Sequence, residues 1–154
     1  LCRGMSFIDA AFLKKSDIQS GILTYRRHKT NQVLHIKIIK PIKELVDRYS
    51  SNDSPYLLPI ITRPHCDERR QYETALRRVN KSLKTIAGMV KLPIPLTTYV
   101  SRHAWATIAK SKNIPVNVIS DALGHDSIAT TQIYLASIDT STIDRANELI
   151  IKDL

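Results

Sequence analysis

Apolar residues recur every three or four positions along most of the chain, a period that predicts amphipathic helices. Pro41 stands where the first turn of a helix needs no N–H, and Gly124 stands where a helix can end in a left-handed residue. Asp126 or Ser127 is placed to cap the helix that carries Tyr134. The predicted helices lie over residues 6–15, 41–49, 67–91, 98–112, 116–123 and 142–152, together with the capped helix that carries Tyr134.

The spacing changes in the first third of the chain, where β-branched and aromatic residues alternate in places with polar ones. Residues 22–25 and 33–38 are predicted strands, and the segment 29–32 between them has the composition of a turn. Residues 17–21 also have the composition of a turn. The predicted fold class is therefore mainly α with a small antiparallel β-hairpin, in one domain that covers residues 1–154.

The longest predicted helix, over residues 67–91, carries two stripes on roughly opposite sides. An apolar stripe predicts its buried face and consists of Leu76, Val79, Leu83, Ile86 and Val90. A basic stripe consists of Arg70, Arg77, Lys81, Lys84 and Lys91. A basic face is compatible with plain solvation and also with contacts to the phosphates of DNA, and the pattern alone leaves both interpretations open.

Lysine and arginine outnumber aspartate and glutamate by 23 to 14, which gives a net charge of +9. This balance favours a polyanionic partner, with nucleic acid as the first candidate. No stretch resembles a membrane span or a signal peptide, so we expect a cytoplasmic, nucleoid-associated protein. Cys2 and Cys66 lack the paired spacing of metal ligands and are predicted to be reduced, with no metal bound.

An arginine, a glycine-histidine pair and a tyrosine follow one another in the last third of the chain, as Arg102, Gly124-His125 and Tyr134. Cleavage of a phosphodiester without a metal requires fixed cationic donors around the non-bridging oxygens, and the planar fork of arginine suits that task. A tyrosine hydroxyl becomes nucleophilic in an electropositive pocket, and the departing alkoxide needs a proton from a general acid. The combination predicts phosphodiester chemistry with Tyr134 as the attacking group.

The same segments resemble the catalytic domain of the tyrosine recombinases, the phage integrase family of DNA strand-transfer enzymes. Arg102-His103 is similar to the second arginine box of that family, and Leu123-Gly124-His125 is similar to its glycine-histidine box. Thr131-Gln132-Ile133-Tyr134 is similar to its nucleophile box. The expected fold is therefore the catalytic-domain fold of this family.

The resemblance extends to the start of the chain and implies roles for three further residues. Arg3 is similar to the first phosphate-clamping arginine of the family, and Asp9 to the acidic residue that follows it. Lys29, in the predicted hairpin turn, is similar to the lysine that protonates the leaving 5′ oxygen.

A mechanism also follows from the resemblance. Arg3, Arg102 and His125 would grip the scissile phosphate while Tyr134 forms a 3′-phosphotyrosyl bond and frees a 5′ hydroxyl. A 5′ hydroxyl of a partner strand would then reverse the step. Because the bond energy stays in the covalent link, neither a metal nor ATP nor another cofactor is expected.

One position departs from the family pattern. The family usually has a histidine three residues before the second arginine, and Tyr99 occupies that place here. A phenol can hydrogen-bond a phosphate oxygen, but it is a poorer general base near neutral pH than imidazole. Tyr99 is therefore a candidate catalytic residue whose role as the base is open, and His103 is interpreted as structural.

The chain begins at Leu1 and not at a methionine, so we expect a piece of a longer protein that lacks the N-terminal core-binding domain of the family. The resemblance implies double-stranded DNA as the partner, a monomer without DNA and a homotetramer on paired sites. The predicted helix over 142–152 is suited to packing on a neighbouring subunit or on its own domain. A mobile-element integrase is the expected origin.

Two alternatives stay open. Residues 116–134 also have the pattern of a helix-turn-helix, and a DNA-binding module without catalysis would direct Ser127, Thr130, Thr131 and Gln132 towards bases. A type IB topoisomerase uses a similar pocket and relaxes DNA without exchanging partners. A covalent protein–DNA adduct excludes the first alternative, and assays on supercoiled plasmid against paired target sites separate the second.

Overall fold

A computed structural model describes residues 2–50 and 53–135 of the chain. Within these ranges the chain is mostly helical with a small three-stranded antiparallel sheet, which confirms the predicted fold class. The helix predicted over 142–152 lies outside the described residues. Among the described helices, none is both long and apolar enough to cross a membrane. In chain order the elements are α1 (Phe7–Ala11), β1 (Ile18–Gln19), β2 (Ile22–Arg26), β3 (Val33–Lys37), α2 (Lys40–Tyr49), α3 (Glu68–Met89), α4 (Val100–Ser111), α5 (Val116–Leu123) and α6 (Ile128–Tyr134).

The predicted hairpin is present, and a third strand extends it. β2 and β3 pair from Ile22 opposite Lys37 to Arg26 opposite Val33. Asn31 in the connecting turn has a φ of 60°, a left-handed conformation that asparagine tolerates. β1 pairs with β2 over two residues only, which is too short for an alternating pattern, so the sequence predicted a turn there.

α1 is shorter than predicted because the residues that follow it form backbone hydrogen bonds with a segment distant in the sequence. The predicted helix runs to residue 15, whereas α1 ends at Ala11. The carbonyl of Leu13 accepts from the amide of Leu57 at 2.8 Å, and the amide of Lys15 donates to the carbonyl of Pro55 at 2.9 Å. These bonds hold the segment against residues 55–57 and end the helix.

The hydrophobic core forms two clusters, one against the sheet and one among the last three described helices. The first cluster consists of Leu13, Leu23, Tyr25, Ile36, Ile42 and Leu57. The second consists of Ala106, Ala109, Ile119, Leu123 and Leu135. Hydrogen bonds between the β2–β3 turn and the end of α5 connect the two clusters, and the candidate site lies at this connection.

α3 buries less of its apolar stripe than the sequence predicted. Tyr72 packs near Phe7 of α1, with ring centroids 6.0 Å apart, and Ala75 and Ala87 are buried. The prediction that this stripe is buried is wrong at the end of the helix, because the side chains of Ile86 and Val90 are 47% and 60% exposed. The half-buried members of that stripe are Leu76, Val79 and Leu83.

The basic stripe of the same helix is exposed along its whole length, at Arg70, Arg77, Lys81, Lys84 and Lys91. Lys91 follows the helix, which ends at Met89, and has a left-handed φ of 53°. Exposure is required by both interpretations of this stripe, so the DNA contact stays a prediction.

α5 ends in a glycine corner, as the sequence predicted. Gly124 is left-handed, with φ 63° and ψ 47°, and its amide donates to the carbonyl of Asp121 at 3.0 Å. The amide of His125 donates to the carbonyl of Ser120 at 3.1 Å, which completes a Schellman motif. Ser127, and not Asp126, then caps α6 by accepting from an amide in its first turn.

Gly124→Ala is expected to destabilise the domain. A left-handed alanine costs about 1–2 kcal/mol, and a Cβ here would lie 3.0 Å from Leu34 Cδ1 and 3.2 Å from Arg27 Cδ. Gly88→Ala is the control, because a Cβ at that helical position meets nothing within 4 Å. It should raise the free energy of unfolding, by up to about 1 kcal/mol. Urea unfolding followed by circular dichroism measures both variants, and a stabilised Gly124→Ala would contradict the prediction.

Candidate active site

The last carbonyls of α5 organise the site. The Schellman motif satisfies the carbonyls of Ser120 and Asp121, while those of Leu123 and Gly124 stay available at the negative end of the helix. Two buried arginines donate to them: Arg102 Nη2 to Leu123 O at 2.5 Å, and Arg27 Nη1 to Gly124 O. The helix end therefore holds two guanidinium groups on successive carbonyls.

Arg102 is fixed from two sides. It lies in α4 with only 2% of its surface exposed, and its Nη1 donates to the carbonyl of Gly4 at 2.9 Å. Gly4 is left-handed, and a Cβ there would lie 3.1 Å from Arg102 Cα, so a glycine permits this approach of the N-terminal segment. Arg102 Nε is buried and has no hydrogen-bond partner among the described residues. This guanidinium therefore retains donor capacity for a further ligand.

Burial, and after it the positive charge of Arg27, lowers the pKa of Arg102 to about 10. The side chain is still a cation at neutral pH. A cation that is desolvated and placed beside a second cation gains energy from any anion that reaches it.

The β2–β3 turn is tied to the glycine corner by side chains on both sides of Lys29. Thr30 Oγ1 donates to Gly124 O at 3.0 Å, and Gln32 Nε2 donates to His125 O at 3.3 Å and to Asp126 Oδ1 at 3.0 Å. Lys29 itself is exposed. Its charge is among those that lower the pKa of His125, so the structure brings the predicted acid and the predicted histidine together.

His125 is 7% exposed, and its Nδ1 pairs with the hydroxyl of Thr131 at 2.8 Å. Burial lowers its pKa to about 4, and the positive charges of Arg102, Arg27 and Lys29 act in the same direction. The imidazole is therefore neutral at physiological pH. When the Thr131 hydroxyl donates to Nδ1, Nε2 carries the hydrogen and can donate to a phosphate oxygen.

Asp9 positions the turn from the other side. Its carboxylate is buried and accepts from the backbone amide of His28 at 2.9 Å and from the Ser6 hydroxyl at 2.5 Å. His28 Nδ1 lies 3.1 Å from the same carboxylate. Since His28 directly precedes Lys29, this acidic residue fixes the start of the turn that presents Lys29.

Arg3 and Tyr99, two other predicted site residues, are both at the surface. Arg3 is exposed and lines a surface pocket with Trp105, Val118 and Asp121, a pocket that contains no other predicted site residue. Tyr99 is half-exposed at the start of α4. Its ring lies 4.6 Å from that of His103 in an edge-to-face arrangement.

Tyr134 ends α6, ten residues after the glycine corner, and its side chain lies outside the described part of the structure. The basic stripe of α3 is separate from the centre. Within it, Arg70 lines an open groove together with Arg63 and Arg78, which are two basic residues that the predicted stripe did not include.

Arg27 is the residue that the sequence interpretation missed. It is 6% exposed, and like Arg102 it has a buried Nε without a partner among the described residues. One signal was available: Leu23 and Tyr25 point to the core, and the alternation of a strand continues that face to residue 27. An arginine on the inward face of a strand is unusual and indicates a function for its charge.

Residues 4–140 match the profile of the phage integrase family, so the chain belongs to that family. The tyrosine recombinase XerA of Pyrococcus furiosus is 31% identical over 154 residues, which cover 95% of this chain and 51% of the relative. The tyrosine recombinase XerC of Bradyrhizobium diazoefficiens is 28% identical over 134 residues, which cover 85% and 41%. The chain thus spans about half the length of these curated relatives.

Solved structures agree with this membership at the level of the fold. The crystal structure of XerA recombinase has a TM-score of 0.67 and 21% identity, covering 95% of this chain and 53% of that one. XerH site-specific recombinase bound to its difH substrate has a TM-score of 0.60 and 19% identity, covering 95% and 43%. The predicted tyrosine recombinase catalytic-domain fold is confirmed.

The imidazole of His125 is expected to titrate near pH 4. Proton NMR of its ring resonances measures the midpoint. Lys29→Gln should raise the pKa because it removes a cation, and Asp126→Asn should lower it because it removes the carboxylate that opposes the cations. A midpoint near the ordinary value of about 6.5 would contradict the buried, cation-surrounded position.

Proposed function

We propose that this chain is the catalytic domain of a site-specific DNA recombinase in which Tyr134 attacks a DNA phosphodiester. The observation that carries the proposal is the convergence of Arg102, His125 and the Lys29 turn on the end of α5. A fixed guanidinium, a neutral imidazole and an exposed ammonium are the groups that a metal-free attack on a phosphodiester requires. α6 starts three residues after His125 and carries the tyrosine at its end.

In the proposed first step the Tyr134 oxygen forms a bond to phosphorus, and the bond from phosphorus to the 5′ oxygen breaks. Arg102 and His125 donate hydrogen bonds to the non-bridging oxygens, where charge accumulates in the transition state. Lys29 gives a proton to the leaving 5′ oxygen, and the phenol proton of Tyr134 passes to water. In the second step Lys29, now neutral, takes the proton of a 5′ hydroxyl of a second strand, whose oxygen forms a bond to phosphorus. The bond from phosphorus to the Tyr134 oxygen breaks, and that oxygen takes a proton from water, which restores the tyrosine and joins the strands.

We assign to Tyr99 a hydrogen bond to the phosphate and not the role of general base. A phenol hydroxyl can donate a hydrogen bond to a phosphate oxygen, and imidazole is the better general base near neutral pH. For Arg3, support comes from the resemblance alone, because no hydrogen bond among the described residues joins it to Arg102 or His125.

The proposed partner is double-stranded DNA, bound in part by the basic stripe of α3. The solved XerH complex contains its difH substrate, and a lambda integrase tetramer has been solved on a Holliday junction, which supports the same partner and a tetrameric assembly for this chain. The chain spans about half of its relatives, and we propose that an N-terminal core-binding domain of the parent protein completes the grip on DNA. Origin in a mobile element remains a proposal as well.

The helix-turn-helix alternative loses one of its proposed base-reading residues. Thr131 has no exposed surface and pairs with His125, so it does not face DNA and that part of the alternative is wrong. Ser127, Thr130 and Gln132 are exposed and compatible with it. No feature of the structure favours the topoisomerase alternative over a recombinase, and the plasmid assays described above distinguish the two.

Tyr134→Phe is expected to abolish the covalent adduct and to leave DNA affinity unchanged, because only the nucleophilic oxygen is lost. The measurement uses the full-length parent protein with a nicked suicide duplex that carries its recombination site, mapped by sequencing recombinant junctions. A denaturing gel detects the adduct, and filter binding measures affinity. Tyr49→Phe, at an exposed position of α2, is the matched control and should form the adduct normally.

An adduct that persists in Tyr134→Phe would show that Tyr134 is not the nucleophile. Tight binding of the parent protein without any adduct would instead favour the DNA-binding module without catalysis.

The double variant Lys81→Gln, Lys84→Gln is expected to weaken DNA binding and to reduce the slope of log K against log salt by about 2, since each phosphate contact contributes about 0.9. A double variant of two exposed lysines elsewhere, Lys37→Gln and Lys40→Gln, has the same change of charge and should keep the slope. Fluorescence anisotropy over a series of salt concentrations measures both. Equal slopes in the two variants would indicate that the stripe of α3 is only solvated.

A further inference from the structure

Arg27 and Arg102 are two buried cations, and within the described ranges neither is ion-paired to a carboxylate; the charge of Asp9 acts on Arg102 without a bond between them. The ion pairs between His28 and Asp9, Lys43 and Asp47, and Arg69 and Glu73 involve neither arginine. Both arginines are more than nine-tenths buried. A buried guanidinium without an anion is costly, and two neighbouring ones are costlier because they repel each other.

The two guanidiniums are held in the same way. Each donates through an Nη to one of the successive carbonyls of Leu123 and Gly124, and each keeps a buried Nε–H without a partner in the described residues. The hydrogen bonds to carbonyls fix the positions of the side chains without neutralising their charge. Two fixed cations with unused donors form a site for an anion that accepts several hydrogen bonds.

A phosphodiester in the act of substitution fits this site by its chemistry. It has non-bridging oxygens that accept two or more bonds each, and its negative charge is the charge that both guanidiniums lack. Arg27 also lies two residues before Lys29, and its bond to the carbonyl of Gly124 places it at the same glycine corner as His125.

Arg3, the arginine that the family resemblance suggested for this task, is placed differently. It is exposed, it lies outside the residues that match the family profile, and its pocket is lined by Trp105 and Asp121. Its charge is not among the main influences on the pKa of Arg102 or His125, whereas that of Arg27 is among them for both.

We infer that Arg27, and not Arg3, is the second guanidinium that binds the scissile phosphate beside Arg102. This inference rests on the proposed function and adds a catalytic residue to it. Arg102 would keep its bonds to the carbonyls of Gly4 and Leu123, Arg27 would keep its bond to the carbonyl of Gly124, and both would use their remaining N–H groups on the phosphate. The bond changes are those of the proposed first step, and Arg27 changes none of them; it stabilises the charge that the phosphate oxygens acquire.

The test compares Arg27→Lys and Arg27→Met in the full-length protein with Arg26→Lys and Arg26→Met. Arg26 is the neighbouring residue on the exposed face of β2, and its Nη1 donates to the carbonyl of Asn31. Adduct formation on the suicide duplex at saturating protein should slow at least about 100-fold in both Arg27 variants, as expected when one donor to the transition state is lost. It should stay unchanged in both Arg26 variants.

A second measurement separates phosphate binding from a structural role. A suicide duplex with a methylphosphonate at the scissile position lacks one negative charge, so an arginine that neutralises that charge becomes dispensable. Arg27→Met should regain adduct formation on this duplex relative to the ordinary one. A third readout is the rise in melting temperature with inorganic orthovanadate, a mimic of the five-coordinate phosphorus, which should be lost in Arg27→Met and kept in Arg26→Met.

The outcomes are distinguishable. Normal cleavage by Arg27→Lys, a larger loss in Arg3→Lys than in Arg27→Lys, or no recovery on the methylphosphonate duplex would each overturn the inference. Loss of cooperative melting in both Arg27 variants would overturn it too, since Arg27 would then be a structural tether. A Tyr134→Phe variant in the same series tests the proposed function: an adduct that survives there contradicts that function, whatever Arg27 does.

Discussion

The end of α5 is the constraint on which the rest of the site depends. A helix leaves its last carbonyls without partners inside the helix, and here a left-handed glycine satisfies two of them and turns the others towards the sheet. Arg102, Arg27 and Thr30 bind those carbonyls, so the helical cluster and the sheet cluster are joined by hydrogen bonds to backbone atoms. Because the acceptors belong to the backbone, the geometry of the site is set by the end of one short helix.

This arrangement places positive charge where it costs stability. The carbonyl dipoles offset part of the cost of burying two guanidiniums, but a dipole does not remove a net charge. An anion that binds between them would restore that balance and would stabilise the folded state in proportion to its concentration. If both side chains bind phosphate as inferred above, the stability of the free domain and the affinity for a phosphate would depend on the same two residues, and a change that improves one of these properties would weaken the other.

The sequence was sufficient for the features that depend on local chemistry. It predicted α5, its glycine end, the hairpin and the helical character of most of the chain, because each is set by a few neighbouring residues. It failed where distant contacts decide the outcome: α1 ends early because residues 13–15 pair with 55–57, and Ile86 and Val90 are exposed because nothing in the described structure covers that end of α3. Arg27 was missed for a related reason, since its partner, Gly124, lies 97 residues away in the sequence.

The cationic groups of the site lie at different depths, and depth matches the task that each can perform. A guanidinium that stabilises charge must be fixed and dry, because desolvation strengthens its hydrogen bonds and fixed donors need no reorganisation. Arg102 and Arg27 are buried as that proposed task requires, and burial also keeps His125 neutral, so that in the proposed mechanism it would act through a hydrogen bond and not through charge. A general acid must be reprotonated after each transfer, which requires contact with water. Lys29 is exposed, in contrast to Arg102 and Arg27, on a turn that Asp9, Thr30 and Gln32 hold in place. It therefore combines access to solvent with a fixed position, which is what the proposed role of general acid requires.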